Sequence, residues 1–403
     1  MKIFKSALMT AALAGTMLAA LPAFSQGTYQ FQVPVQGLDV EAELTFTKVA
    51  AGAFHACGLT TAGGVMCWGG GGSGKLGNGL TESSALPVQV AGLESGVVDI
   101  QGGQSHTCAL TDGGNMKCWG SNASGQLGNG QAPSWASVKT PIDVINLSNS
   151  VASIAVGYNH TCAVTATGAA YCWGSNSYGQ LGTGTISTTG QSTPTLVQGL
   201  STGVSSIAAG GEHTCAKTTS GTLRCWGNNA TGAVGDGSWT RRTSPVNVEG
   251  FSSAVASVAA GRYHTCATDV SGKAYCWGNG GPGSLGNGTT QNRSTPTLVS
   301  GIGEGATAID GGINHTCAIV SGTAKCWGYN NVGQIGDGTT TNRLTPVSVV
   351  GLDKPVISLT TGDQLSCAVV QGGKTYCWGA NDIGQLGDGT IDNSSTPSQV
   401  VKE

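Results

Sequence analysis

Seven times along this chain a pair of cysteines recurs, nine or ten positions apart, with Trp-Gly directly after the second. The pairs are Cys57 and Cys67, Cys108 and Cys118, Cys162 and Cys172, Cys215 and Cys225, Cys266 and Cys276, Cys317 and Cys326, and Cys367 and Cys377. They use all 14 cysteines, so none is left over as a single nucleophile or ligand. Successive first cysteines stand 50 to 54 residues apart. A period in that range marks a ring or solenoid of equivalent units, each able to bury its apolar face only against a neighbour. One repeat domain is therefore expected over residues 49–403, although 403 residues would by length alone suggest two or three domains.

Ahead of the repeats, Lys2 and Lys5 precede an apolar stretch from Ala7 to Leu21 and then Ala23-Phe24-Ser25. This reads as a secretory signal peptide over residues 1–25, cleaved after Ser25. The stretch is short for a membrane span, and no later segment approaches the length required. The expected location is the periplasm, the cell surface or the medium, where disulfides persist. The formal charge of −3 becomes −5 once Lys2 and Lys5 leave with the leader, so no general attraction to nucleic acid or anionic membrane is implied.

Aligned on its cysteines, each unit runs through a short apolar stretch, Ala-Gly or Gly-Gly, two variable residues, His-Thr-Cys-Ala, a small turn and Cys-Trp-Gly. It continues as Asn-x-x-Gly-Gln-Leu-Gly-(Asp/Asn)-Gly, a variable loop and Thr-Pro-x-x-Val. Four strand-sized segments follow, for example Ser153 to Val156, Thr161 to Val164, Ala170 to Trp173 and Thr195 to Val197. Glycine at 67 of 403 residues, against a usual share of about 7%, fits many short strands joined by tight turns.

The cysteine spacing makes the second and third segments a hairpin. Setting Cys108 opposite Cys118 leaves Asp112-Gly113-Gly114 as a three-residue loop, and the equivalent loops end in Gly63, Gly168, Gly221, Gly272 and Gly373, where a left-handed residue is needed. In the sixth unit the spacing shortens by one and leaves a two-residue Ser321-Gly322 loop, with Cys317 still opposite Cys326. Seven disulfides, each stapling one hairpin, are expected. The rival is zinc, since His stands two residues before the first cysteine in six units; but no unit has a Cys-x-x-Cys knuckle, and the seventh has Leu365 in the His place. The histidines are read as structural groups bonded to neighbouring backbone.

Four antiparallel strands repeated seven times make an all-β, seven-bladed β-propeller. The segments Gly-x-x-His-Thr-x-x-Leu, Trp-Gly-x-Asn-x-x-Gly-Gln-Leu-Gly and Pro-x-x-Val resemble the regulator of chromosome condensation family from Val49 to Val400, and Asn381-Asp382-Ile383-Gly384-Gln385-Leu386-Gly387 carries the pattern clearly. The resemblance implies the same propeller. The paired cysteines depart from the family's nuclear members and suit an exported one. Residues 26–48 precede the first full unit, and their strand Tyr29 to Val35 is expected to fasten the last blade beside or outside Pro397 to Val400.

Several motifs look chemical and are read as repeat turns. Gly69-Gly70-Gly71-Gly72-Ser73-Gly74-Lys75 nearly spells a phosphate loop but has Leu76 where Ser or Thr is needed, and it occupies the Gly-x-Asn-x-x-Gly-Gln-Leu register. Gly281-Pro282-Gly283-Ser284-Leu285-Gly286 matches a dinucleotide fingerprint in the same register, with no helix after it. The Asp236, Asp337 and Asp388 turns offer too few ligands for calcium. All six histidines, His55, His106, His160, His213, His264 and His315, are repeat residues. Glu212 and Asp363, the unusual acids, read as solvated surface. No cofactor, metal or catalytic residue is assigned, and no enzyme is expected.

In an up-and-down blade the first and third connections emerge on one face. The first supplies Phe54, Tyr158, Glu212, Arg262, Tyr263, Asn314 and Gln364; the third supplies Trp135, Trp239, Arg241, Arg242, Arg293 and Arg343. Tyr, Trp and Arg dominate interfaces because they bury large areas and make directed bonds. The expected function is an exported, monomeric binding scaffold whose loops hold a protein or glycan, with Trp135, Trp239, Arg241 and Arg242 as leading anchors. Two alternatives come from the resemblance: guanine-nucleotide exchange as in the family's nuclear member, and inhibition of a secreted enzyme.

Overall fold

A computed structural model of the chain describes residues 43–147 and 150–402. The leader at 1–25 and the strand expected at 29–35 lie outside the described residues. The described residues form seven four-stranded antiparallel sheets, each built from one contiguous stretch of chain in the order inner, second, third, outer. Blade 1 takes Phe46–Ala51, His55–Thr60, Val65–Gly69 and Ser84–Gln89. Blade 7 takes Val356–Thr361, Leu365–Val370, Thr375–Gly379 and Ser394–Gln399, so its outer place is filled by its own chain.

Every expected cysteine pair sits in register across the second and third strands of its blade. Cys57 faces Cys67, Cys108 faces Cys118, Cys162 faces Cys172 and Cys215 faces Cys225. Cys266 likewise faces Cys276, Cys317 faces Cys326 and Cys367 faces Cys377. All seven pairs stand at disulfide distance, with Cα atoms 4.0 to 4.1 Å apart and no free cysteine among the described residues. The turns explain how the shortened unit keeps that register. Six hairpins turn on a left-handed glycine such as Gly114 at φ 72°, whereas the sixth places both Ser321 (φ 50°) and Gly322 (φ 78°) in the left-handed region, the two-residue form that matches strand twist.

Blades are joined by one repeated set of bonds. His55 Nε2 lies 2.8 Å from Thr107 Oγ1 of the next blade, Thr107 Oγ1 donates to the Lys75 carbonyl at 2.9 Å, and the Trp119 indole N–H donates to that same oxygen at 2.9 Å. Since the hydroxyl has one proton and gives it to the carbonyl, the imidazole must donate from Nε2 and is held in that tautomer. The pattern recurs as His106–Thr161, His160–Thr214, His213–Thr265, His264–Thr316 and His315–Ser366. The histidines thus bond hydroxyls, which relay to backbone, rather than bonding backbone themselves. Burial holds their pKa values low, to about 3 for His106, His160, His213 and His315 and about 4 for His264.

The ring closes between blades 7 and 1 on different chemistry. Trp68 still donates to the Gln385 carbonyl at 3.1 Å, and the Ala51 amide donates to Thr360 Oγ1 at 3.1 Å. The His place is Leu365 and the Thr place is Ala56, both buried in one apolar cluster. Inner strands pack closely enough that a Cβ at Gly157 would fall 2.5 Å from the Gly210 carbonyl oxygen, which accounts for glycine at that point of the repeat.

Candidate binding face and channel mouth

The first and third connections of a blade are tied together. The residue after Cys-Trp-Gly donates its amide to the carbonyl just before the His place, as Gly70 does to Phe54 (2.8 Å), Asn228 to Glu212 (2.8 Å), Asn279 to Tyr263 (3.0 Å) and Ala380 to Gln364 (2.9 Å). These bonds hold the first and third connections of a blade together, and the candidate site residues lie in or next to those connections. They separate there into three groups with different surroundings.

Trp239 and Arg241 belong to the third connection of blade 4, whereas Trp135, expected in a loop, lies near the start of the outer strand Ser134–Asp143 of blade 2, because the hairpin of that blade is extended by pairing of Asn122 with Ser134. Trp135 is 92% exposed and Trp239 51%, leaving a large apolar area of each indole in water. Arg241 reaches from blade 4 to the Ser177 carbonyl of blade 3 at 3.2 Å.

Arg242, Arg293 and Arg343 share one repeat position, opposite Gly227, Gly278 and Gly328. Arg242 Nε donates to Asp236 Oδ2 and Arg343 Nε to Asp337 Oδ2, both at 2.6 Å. These two arginines brace their own loops. Burial pushes the Asp236 carboxyl up, but bonds from Ser238 and Arg242 outweigh it and leave the group below its usual range. Blade 5 has Asn287 in the aspartate place, and Arg293 Nε is buried with no partner among the described residues. Among those residues no group of three or more His, Cys, Asp or Glu gathers to hold a metal.

Tyr158, Arg262 and Tyr263 form the third group, together with Asp363. The residue after Gly-Gly or Ala-Gly stands at the mouth of a central channel of about 290 Å³, walled by the seven inner strands. Tyr158 of blade 3 donates its hydroxyl proton to Asp363 Oδ2 of blade 7 at 2.5 Å, and Arg262 of blade 5 donates from Nη1 to the Tyr158 oxygen at 3.0 Å. The Arg262 guanidinium also lies 4.4 Å from the Tyr158 ring centroid and 4.9 Å from that of Tyr263. Three blades are thereby latched across the mouth.

Asp363, read from sequence as solvated, is 8% exposed. Burial raises its pKa to about 6, against the Tyr158 bond and the nearby Arg262 and Lys75, which lower it. Its position just after Gly362 was the available signal, since that point of the repeat lies at the channel. Glu212 is half-buried and accepts from Asn228 Nδ2 at 2.7 Å.

Comparison with known proteins agrees with this architecture. The pattern of the RCC1-like domain matches residues 25–318, and the regulator of chromosome condensation (RCC1) repeat matches 322–369 and 372–403. The human E3 ubiquitin-protein ligase HERC2 is 34% identical over 276 residues, 67% of this chain but 6% of that protein. The Arabidopsis thaliana ultraviolet-B receptor UVR8 is 33% identical over 259 residues, 63% of this chain and 58% of the receptor. The chain thus spans less than two thirds of either relative. Among solved structures, Prp20p from Saccharomyces cerevisiae superposes with a TM-score of 0.74 at 22% identity, covering 84% of this chain and 85% of that one. Human WBSCR16 gives 0.71 at 23%, covering 79% and 85%. At such identity these structures speak to the fold.

Proposed function

The chain belongs to the regulator of chromosome condensation family, whose propellers suit binding or regulatory roles, and from that membership we propose an exported, non-enzymatic scaffold that holds a protein or glycan on its loop face. The observation that carries this reading is the solvent exposure of Trp135 and Trp239, which this proposal assigns with Arg241 to the binding face. Exposed indoles beside an arginine are the usual material of binding hot spots. The opposite face carries the short hairpin turns.

The cysteine pairs support an oxidising location, because cytosolic reductants keep thiols reduced. No helix of the described residues is long and apolar enough to cross a membrane. The repeat histidines and cysteines are engaged in blade junctions and hairpins, which leaves neither for chemistry. Prp20p is described with binding to Gsp1p and histones, so a propeller of this shape can hold protein partners.

The test is capture by the mature, oxidised protein from the fluid or envelope it is exported into. Trp135→Ala, Trp239→Ala and Arg241→Ala together are expected to abolish retention of a partner that the unaltered protein holds. Retention at unchanged affinity overturns the assignment of the face.

A further inference from the structure

Blade 1 departs from its repeat at Lys75. In blades 2, 3, 6 and 7 the equivalent residue is glutamine, whose Oε1 accepts the amide proton two residues back: Ser124 onto Gln126 (2.8 Å), Tyr178 onto Gln180 (2.9 Å), Val332 onto Gln334 (3.1 Å) and Ile383 onto Gln385 (3.0 Å). An ammonium cannot accept that bond. Lys75 keeps the backbone part of the role through its carbonyl. Its side chain does something else.

The residue is 6% exposed, yet among the described residues no hydrogen bond or ion pair engages its ammonium. The charge lies 5.6 Å from the Phe54 ring centroid, and burial depresses its pKa while Asp363 pulls it back up. A cation held in a partly desolvated place with no partner of its own remains free to take one. Arg262, at the channel mouth, uses one N–H on the Tyr158 hydroxyl and pairs with no carboxylate among the described residues. Both cations act on Asp363. Two positive groups with unused donors therefore face one acid that is already bonded to Tyr158.

Beside them is an apolar pocket of about 220 Å³ at the junction of blades 7 and 1. Phe54, Leu365, Ala380 and Ile383 line it, together with the polar Gln364 and Asp382. Phe54 is 44% and Ile383 37% exposed, so the pocket opens to solvent. Gly70 connects pocket and cation: a Cβ there would stand 2.8 Å from Ile383 Cδ1 and 3.5 Å from Lys75 Cε. The pocket lies at the one junction where Leu365 and Ala56 replace the His and Thr of the other six.

Resting on the reading of this face as a binding surface, we infer that the closing junction is a recognition site for an acidic peptide segment, its carboxylate on Lys75 and Arg262 and the adjoining apolar side chain in the Phe54–Ile383 pocket. The charge complementarity is specific in degree. Asp363 at the channel mouth and Asp382 in the pocket lining disfavour a dianion or a polyanion, whereas one carboxylate beside an apolar group meets two cations and an apolar wall.

The blocked tetrapeptide Gly-Asp-Phe-Gly, titrated into the full oxidised protein, tests this by NMR of the Ile383 methyl and the Lys75 ε-carbon. Both signals are expected to shift with a Kd on the order of 1 mM, the strength of one ion pair with one buried side chain. Gly-Asn-Phe-Gly and Gly-Asp-Gly-Gly are expected to bind at least about tenfold more weakly, since each lacks one half of the interaction. Lys75→Gln restores the repeat's own residue and so keeps the fold; it is expected to weaken Gly-Asp-Phe-Gly binding by about tenfold. Equal binding of the Asn peptide, unchanged binding by Lys75→Gln, inorganic phosphate shifting Lys75 as strongly as the peptide, or no shift at all would each overturn the site. The Trp135→Ala/Trp239→Ala protein separates this inference from the broader reading: it should keep the peptide shifts, because neither indole lines the pocket, while losing the captured partner.

Discussion

Leu365 and Ala56 lie in one apolar cluster at the junction of the last blade with the first, in the two places where the other six junctions set a histidine against a hydroxyl. The donor and its acceptor have been exchanged together. Losing either alone would leave a buried polar atom unpaired, and losing both leaves none.

That relationship predicts a coupled pair at an ordinary junction. Thr214→Ala strands the His160 Nε2–H and should cost about 1–3 kcal/mol. His160→Leu should cost a comparable amount, because it also disturbs packing over Gly157. The double variant should be less destabilised than the sum by about 1 kcal/mol or more. Guanidinium unfolding of the oxidised proteins measures this, and strict additivity would refute the coupling.

Acid should weaken the fold through the same histidines. Burial holds five of them at about 3 to 4 and His55 well below the ordinary value of about 6.5 that applies in the unfolded chain. The unfolded state therefore binds more protons in that window, so the stability they contribute is complete above pH ~6.5 and falls as the pH drops towards ~3. Asp363, raised to about 6, works in the opposite sense, favouring the fold as pH falls from about 6 towards 4. Six imidazoles against that group predict a lower denaturation midpoint at about pH 4.5 than at about pH 7.5. Replacing Asp363 with Asn should steepen the loss.

Arg293 offers a stabilising substitution. Asn287 Oδ1 accepts from the Thr289 amide and hydroxyl just as Asp236 Oδ1 accepts from Ser238, but its amide nitrogen cannot accept from Arg293. Asn287→Asp supplies the missing oxygen. A gain of about 1 kcal/mol is expected, limited by the half-exposed arginine, and a shift of the unfolding midpoint reads it.

The sixth hairpin tests what the disulfides contribute. Changing Cys317 and Cys326 together to alanine should lower stability by about 2–3 kcal/mol, the chain-entropy value for so short a loop. Denatured but unreduced wild-type protein should titrate no thiol. Several free thiols would remove the cysteine pairs from the account.

The blades, their strand order and the cysteine partners were legible because the forces that set them act within about ten residues: turn chemistry, strand register and an across-strand bond. Gly114 and the Ser321-Gly322 turn show this directly, since each hairpin is decided by its own loop. What no local pattern contains is which blade's side chain meets which. His55 finds Thr107 at a distance of 52 residues, and Tyr158 finds Asp363 at 205, because ring closure brings equivalent positions to one axis. Local chemistry, written out in the chain, was enough for the repeating unit and for the face its variable loops share. The burial of Asp363, the unpaired Lys75 beside an apolar pocket and the match of Leu365 to Ala56 came from closing the ring, since each depends on a neighbour supplied by another turn of the propeller.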